Sequence, residues 1–428
     1  MDNLFTGKKY SGLDLGCVLI LISSIVIFEG VVRKWISSGL GLSLIAVQDL
    51  LVVFVVFRVF LSNVRLGDIR GVLLIYSLFI FLVSLSQAVI YEHPIIVVAS
   101  ALRFWVLYPV FFILCGLSIT REQFYRLLYF FIYSGVVLVP LVVFQYLSPP
   151  DAFINKQVGE SEYIFLLVDG VVRTTGTFSF TMGMSSFSII LTTISLTLFV
   201  MQRGGVGGKT VLLAMISSAV LALLSGSRAA VLFFGFSIAV SFFFTMINSS
   251  GYRSFYYLMV SIVVTGLLLL ILSYSDLGSN LLARFSAASE SESYLYRISD
   301  MLLGVSVGFD DVWALGYGIG SGSNLTARVL DVQGFALAES EPARIVLEAG
   351  VLGVAVLIFK YFVCLRLLLT GLNDVCFYRE PAVLVLCLGV VVVLVSWPIS
   401  GQLTVSSLAA LFGIIVSGFI RFRRSDFG

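Results

Sequence analysis

Charge is the scarcest ingredient of this 428-residue sequence: 12% of its residues are Asp, Glu, Lys or Arg, against 59% that are apolar. Soluble domains carry about 25% charged residues. A water-facing surface of ordinary composition is therefore excluded, and the surplus apolar surface must face lipid. Histidine occurs once, at His93, which with scattered cysteines argues against a zinc site. Of Cys17, Cys115, Cys364, Cys376 and Cys387, four fall in apolar runs and Cys376 in a short inner loop, so no disulfide framework is expected. The eight prolines are thinly spread and leave room for long helices. Alternation of polar and apolar residues, the mark of an outer-membrane barrel, is missing too. The net charge of +2 speaks against nucleic acid as a partner.

What the sequence does have is continuous apolar runs. A window of about 19 residues predicts spans near 12–31, 41–61, 71–91, 97–118, 124–147, 181–201, 210–226, 229–247, 255–274, 343–368, 382–398 and 404–421. The expected fold class is all-α: a polytopic integral membrane protein of about twelve transmembrane helices, one membrane domain over residues 1–428. The first run lacks a small-residue cleavage site and reads as an uncleaved anchor. With the N-terminus cytoplasmic, 16 of the 26 basic residues, from Lys8 to Arg424 and including Lys360, fall on inner segments. The positive-inside rule then places both termini inside. Two outer segments are long, 148–180 and 275–342. The second, a large outer loop between helices 9 and 10, gathers most of the acidic residues, and long loops tend to carry function.

Polar groups at membrane depth are costly unless paired or facing water, so each is a candidate. Arg228, in Ser225-Gly226-Ser227-Arg228, stands between two apolar runs. Its planar fork of donors suits phosphate oxygens, and the alternative is an arginine snorkelling to headgroups. Arg173 opens Arg173-Thr174-Thr175-Gly176-Thr177-Phe178 ahead of the sixth span, a possible anion site or a simple cap. Arg103, near the outer end of the fourth span, is a candidate structural partner of a buried carboxylate; Asp49, in the second span, is expected to pair with an arginine, with proton coupling as the rival reading. Glu29 lies near the outer end of the first span.

The richest stretch is Glu339-Ser340-Glu341-Pro342-Ala343-Arg344, leading to Glu348-Ala349-Gly350. Pro342 suits a first helical turn, and Glu341, Arg344 and Glu348 share one helical face, where an internal salt-bridge set is expected. Glu339 points elsewhere, into the loop mouth, where it can serve as a base or merely favour the helix dipole. Upstream stand Tyr296-Arg297 and Gly316-Tyr317-Gly318-Ile319-Gly320-Ser321-Gly322. These glycines do not fit a dinucleotide fingerprint and lack a P-loop lysine; they are expected to let the backbone bend tightly beside a substrate. Asp310-Asp311 are adjacent rather than spaced for a metal-nucleotide-sugar site.

In order and spacing, four of these stretches resemble the O-antigen polymerase and O-antigen ligase superfamily of bacterial envelope enzymes. They are Arg173–Phe178 before a span, Ser225–Arg228 in an outer hairpin, Arg297 ahead of Gly316–Gly322, and the polar cluster entering Glu348-Ala349-Gly350-Val351-Leu352-Gly353. The motifs cover residues 173–353 and the topology nearly the whole chain. Ligases of the family carry a histidine nine residues before the E-x-G; here that position is Glu339, which places the chain closer to the polymerase branch.

The resemblance implies a metal-independent, cofactor-free glycosyltransferase of the bacterial cytoplasmic membrane. It would polymerise polyprenyl-diphosphate-linked oligosaccharide repeat units on the outer face. The alternatives are a ligase transferring the glycan to lipid A core and a proton-coupled transporter or flippase. Catalysis would fall to Glu339 as base and Arg228 as diphosphate anchor. Substrate binding would fall to Arg173, Arg297, Arg344, Glu341, Arg103 and Tyr296, with Tyr294 and Trp313 as further stacking aromatics. The partners implied are the lipid-linked oligosaccharide, membrane lipids and a chain-length regulator.

Overall fold

A computed structural model describes residues 14–62, 69–158, 172–201, 207–248, 294–304, 314–323, 326, 340–378, 386–391, 394 and 403–426. The described part is helical. Helix α1 (Leu15–Val31) runs on through a π-turn, Val32–Ile36, and is followed by α2 (Ser38–Leu61) and α3 (Ile69–Ile90). Next, α4 (Ile95–Ala101) continues through a second π-turn, Leu102–Leu107, into α5 (Tyr108–Ser118). Then come α6 (Arg121–Leu147), α7 (Thr181–Met201), α8 (Gly208–Leu224), α9 (Arg228–Asn248), α10 (Tyr294–Leu303), α11 (Glu341–Tyr378) and α12 (Leu403–Asp426). Eight helical segments, counted among the described residues, are long and apolar enough to cross a membrane. The expected span at 255–274 lies outside the described residues, and that at 382–398 is seen only at 386–391 and 394.

Local signals explain several boundaries. Asp14 caps α1 by accepting from the Gly16 N–H, and Ser37 caps α2. Thr120 and Gln123 form a reciprocal capping box at the start of α6. The main core gathers Phe124, Phe131, Phe187, Phe412 and Phe419, all essentially solvent-free. Close packing of α12 needs glycine, because a Cβ at Gly418 would run into the Phe124 ring and one at Gly413 into Phe112.

Contacts sort the helix ends into two sets. At one end Trp35 Nε1–H donates to the Phe153 carbonyl, Lys34 reaches Thr175, Thr174 reaches Leu224, and His93 meets Tyr317. At the other, Asp14 meets Gln123 and Arg126, and Arg421 donates to the Leu117 and Ile119 carbonyls. The alternation is the one expected of helices threading a bilayer back and forth.

One element departs from the expected continuous span. Helix α11 breaks at Gly350 (φ 56°, ψ −129°), a backbone conformation open to glycine. Beyond the break the chain folds back on its own first half: a Cβ at Gly353 would strike the Ile345 carbonyl. The charge of Lys360 accordingly acts on Glu341. Lys360, counted above among the inner basic residues, is buried within this hairpin and does not contribute to the inside bias. The two glycines of Glu348-Ala349-Gly350-Val351-Leu352-Gly353 therefore have separate jobs, one to reverse the chain and one to let the arms touch.

The Asp14 carboxyl is pushed up by burial, but hydrogen bonds from Gln123, the Gly16 N–H and Arg126, with the Arg126 charge, hold it below 3.8. A depressed carboxyl stabilises the fold above its ordinary value and loses that contribution as pH falls through the folded one. Asp14→Asn is thus expected to cost about 0.5–1 kcal/mol at neutral pH, given a pair this exposed. The gap to the native protein should close below pH 3.8 in detergent unfolding scans; a gap independent of pH would refute the ionic origin.

Candidate functional site

Two polar clusters meet the sequence-predicted residues. The first is built on residues 173–179, which are tied down almost one by one. Thr174 Oγ1 donates to the Leu224 carbonyl at 2.6 Å, fixing the segment to the end of α8. Lys34, 1% exposed, donates from Nζ to Thr175 Oγ1 at 2.9 Å and to the Gly176 carbonyl at 2.6 Å. Gln145 clasps Gly176 from α6, accepting its N–H at 2.8 Å and donating to its carbonyl at 3.3 Å. Gly176 has φ +55°, and a Cβ there would be strained. Thr177 donates to the Ile27 carbonyl, and Ser179 donates to Glu29 at 2.8 Å.

This anchoring sets Arg173 beside the α8–α9 turn. In that turn Gly226 takes φ +66°, Ser225 Oγ accepts the Ser227 N–H at 3.1 Å, and Ser227 Oγ accepts the Ala230 N–H at 3.4 Å. Arg228 is the first residue of α9, where the positive end of the helix dipole adds to its charge. Burial pushes the Arg173 guanidinium below its ordinary pKa, and the nearby positive charge of Arg228 pushes it further. Among the described residues neither arginine has an ion-pair partner, and the buried Arg173 Nε has no hydrogen-bond acceptor. Two like charges side by side without a carboxylate form an arrangement that an anion completes.

The second cluster centres on Glu348, fully buried at the break of α11. Its carboxylate accepts from Arg344 Nη1 at 2.5 Å, Trp105 Nε1–H at 3.1 Å, and the Gly320 and Gly322 N–H groups at 3.0 Å each. Arg344 also forks onto Glu341, Nη2 at 2.5 Å and Nε at 3.2 Å, the salt-bridge set that the three-and-four spacing predicts. The glycine-rich stretch does bend tightly, and the surface it bends against is this cluster. Gly316, Gly318 and Gly320 all have positive φ, and a Cβ at Gly316 would come 2.5 Å from the Glu348 backbone. Main-chain bonds from Tyr317 N–H to the Leu347 carbonyl and from Gly318 N–H to the Glu348 carbonyl complete the seam.

Arg103 lies between the clusters. From the second π-turn it donates to both Asp49 oxygens, at 2.7 and 3.0 Å, and Tyr108 Oη–H donates to Asp49 at 2.7 Å. The arginine partner expected for Asp49 is thus present. The same π-turn carries Trp105 to Glu348, and π-turns recur at functional sites. Arg297 falls on α10 with its side chain outside the described residues, and Tyr296 is exposed. Glu339, Tyr294's side chain, Asp310, Asp311 and Trp313 also lie outside them. No group of three or more metal-ligating side chains converges among the described residues.

Sequence reasoning passed over Lys34, Trp105, Gln87 and Gln145. Gln87 straps the glycine-rich stretch to α3, donating to the Leu315 carbonyl at 2.5 Å and accepting from the Ile319 N–H at 2.9 Å. Both glutamines interrupt apolar runs, and that cost is a signal available in the sequence. Lys34 and Trp105 carry no comparable mark: Lys34 reads as an interfacial residue just past a span end, and Trp105 as one more aromatic within an apolar span.

Replacing Glu348 by Gln puts an amide N–H₂ among four donors and leaves Arg344 with one carboxylate. Such a break in a buried pair costs about 3–5 kcal/mol. A marked fall in detergent unfolding temperature is expected, whereas an unchanged one would show that the carboxylate is dispensable. The chain matches no family model and no curated protein sequence.

Proposed function

We propose that this protein is a membrane-embedded glycosyltransferase that joins polyprenyl-diphosphate-linked oligosaccharide repeat units on the outer face of a bacterial cytoplasmic membrane. The observation that carries the reading is the pair Arg173 and Arg228, held together with no carboxylate partner among the described residues. A diphosphate at headgroup level supplies the missing negative charge, and its polyprenyl chain has lipid to enter beside the bundle. In this reading the chain has about twelve spans with both termini cytoplasmic, and the pair then lies outside, together with the glycine-rich stretch and the α3–α4 turn. Of the further expected spans, 255–274 falls in the residues not described and 382–398 largely so.

In this reading the donor's sugar is attacked at its anomeric carbon by a hydroxyl of the acceptor glycan. The C–O bond to the diphosphate breaks, and the electron pair leaves on the phosphate oxygen, facing Arg173 and Arg228. Donors fixed where charge develops stabilise the transition state without reorganising. Glu339, two residues before the Glu341–Arg344–Glu348 stack, takes the hydroxyl proton. Arg344 has its fork occupied by Glu341 and Glu348. Its part is to hold the helix start from which the Glu339 segment departs.

Purified protein supplied with polyprenyl-diphosphate-linked repeat units is expected to give a ladder of polymer. Arg228→Ala should lower the rate about 10²–10³-fold, and Glu339→Gln about 10²–10⁴-fold, with both variants folded. Retained activity in Glu339→Gln would remove the base assignment. Transfer to lipid A core in place of a ladder would make the protein a ligase.

A further inference from the structure

The turn between α3 and α4 contains an anomaly that the reaction above does not use. Helix α3 ends in a regular terminating motif: the Tyr91 N–H donates to the Gln87 carbonyl, and the His93 N–H reaches back to the Ala88 carbonyl at 2.9 Å. In this motif the residue before the last donor sits in the left-handed region, and glycine is its usual occupant. Here it is Glu92, with φ 55°, the one non-glycine residue of positive φ among the described residues. A left-handed glutamate is strained where glycine would be relaxed. Its carboxylate is exposed, and no hydrogen bond or ion pair within the described structure accounts for it. Strain retained at a loop tip points to use rather than to folding.

The surroundings indicate what that use is. The rings of Tyr91 and His93 stand 5.7 Å apart and inclined at 40°, forming a shallow wedge beside the carboxylate. The His93 ring is held in place: its Nε2–H donates to the Tyr317 carbonyl at 2.7 Å. Gly318 makes room for it, since a Cβ there would come within 3.0 Å of the imidazole. Tyr317, whose carbonyl is bound to this turn, is itself 39% exposed. Aromatic faces beside an acceptor-only carboxylate suit a pyranose. The C–H face of the sugar packs on a ring, and neighbouring hydroxyls donate to the two carboxylate oxygens.

We propose that Tyr91, Glu92, His93 and Tyr317 form a subsite for a neutral pyranose unit of the acceptor glycan. The placing of this turn outside the membrane rests on the function proposed above. The subsite lies against the glycine-rich stretch and so against Glu348, at the same end of the bundle as Arg173 and Arg228. It binds sugar and not diphosphate.

Glycine at position 92 separates binding from folding. Glu92→Gly relieves the strain, so its detergent unfolding temperature should rise, whereas its affinity for sugar should fall at least tenfold. The probe is the free oligosaccharide released by mild acid from the lipid-linked repeat units of the source cells, followed by saturation-transfer NMR and titration on the purified full-length protein. Tyr91→Ala should weaken the same binding, and inorganic pyrophosphate should not compete. Sugar binding that is absent from the native protein, or unchanged in Glu92→Gly, overturns the subsite. In the polymerisation assay Glu92→Gly should raise the acceptor KM and leave kcat nearly unchanged. A ladder formed with unaltered KM would sink the subsite and leave the glycosyltransferase standing. Sugar binding lost in Glu92→Gly, with neither a ladder nor transfer to lipid A core by the native protein, would sink the glycosyltransferase and leave the subsite.

Discussion

The buried carboxylate of Glu348 is the interaction on which the site-bearing end of this protein depends. A negative charge removed from water is tolerable only when its lone pairs are filled, and here donors arrive from three separate parts of the chain. Arg344 comes from the same helix, Trp105 from the π-turn between α4 and α5, and Gly320 and Gly322 from the glycine-rich stretch. None of these segments can move away without stranding the charge. The break at Gly350 follows from the same arrangement, since the chain must turn at once for the glycine-rich stretch to reach the Leu347 and Glu348 carbonyls.

From Glu348 a buried polar belt crosses the bundle. The π-turn joins Trp105 to Arg103, which with Tyr108 holds Asp49. Neighbouring Gln48 donates to Tyr108 and to Ser407 of α12. One turn earlier on α12, Thr404 donates to Glu29, whose other bond comes from Ser179 of the segment that carries Arg173. In a bundle whose outer surface faces lipid, apolar burial gives little preference for one helix arrangement over another. Hydrogen bonds between helices then supply much of the specificity. The belt links the Glu348 cluster to the arginine pair and fixes the frame in which both are presented.

How far this was legible in the sequence differs from element to element. Long apolar runs located nine helices to within a few residues, because a bilayer imposes one length and one periodicity on all of them. The Glu341, Arg344 and Glu348 stack was legible for the same kind of reason: three-and-four spacing is a local rule. The fold-back at Gly350 was not. The run 343–368 is as apolar as a continuous span, and a glycine within it does not announce whether it will reverse the chain. The partnership of Lys34 with Thr175 was equally hidden, since 141 residues separate them and no local pattern joins such a pair. For the glycines at 316–322 the expected bend was met, but its partner, a helix break 30 residues on, is a tertiary fact.

Arg173 and Arg228 invert the logic of the rest of the belt. Elsewhere among the described residues the buried Arg103 is matched by Asp49 and Arg344 by two glutamates, and the more exposed Arg126 by Asp14. A fold optimised only for its own stability would match this pair too, or separate it. Instead the chain spends a lysine, a glutamine, three hydroxyls and a left-handed glycine to hold Arg173 where its neighbour is another arginine. So much structure directed at an unfavourable contact makes sense when the missing charge arrives from outside. It also explains why, among the described residues, the anchoring bonds come from side chains and carbonyls and no carboxylate is placed on Arg173 itself. A carboxylate there would quench the very field that an incoming anion needs. Glu29, which ties down the far end of this segment, is engaged by Ser179, Thr404 and Arg33.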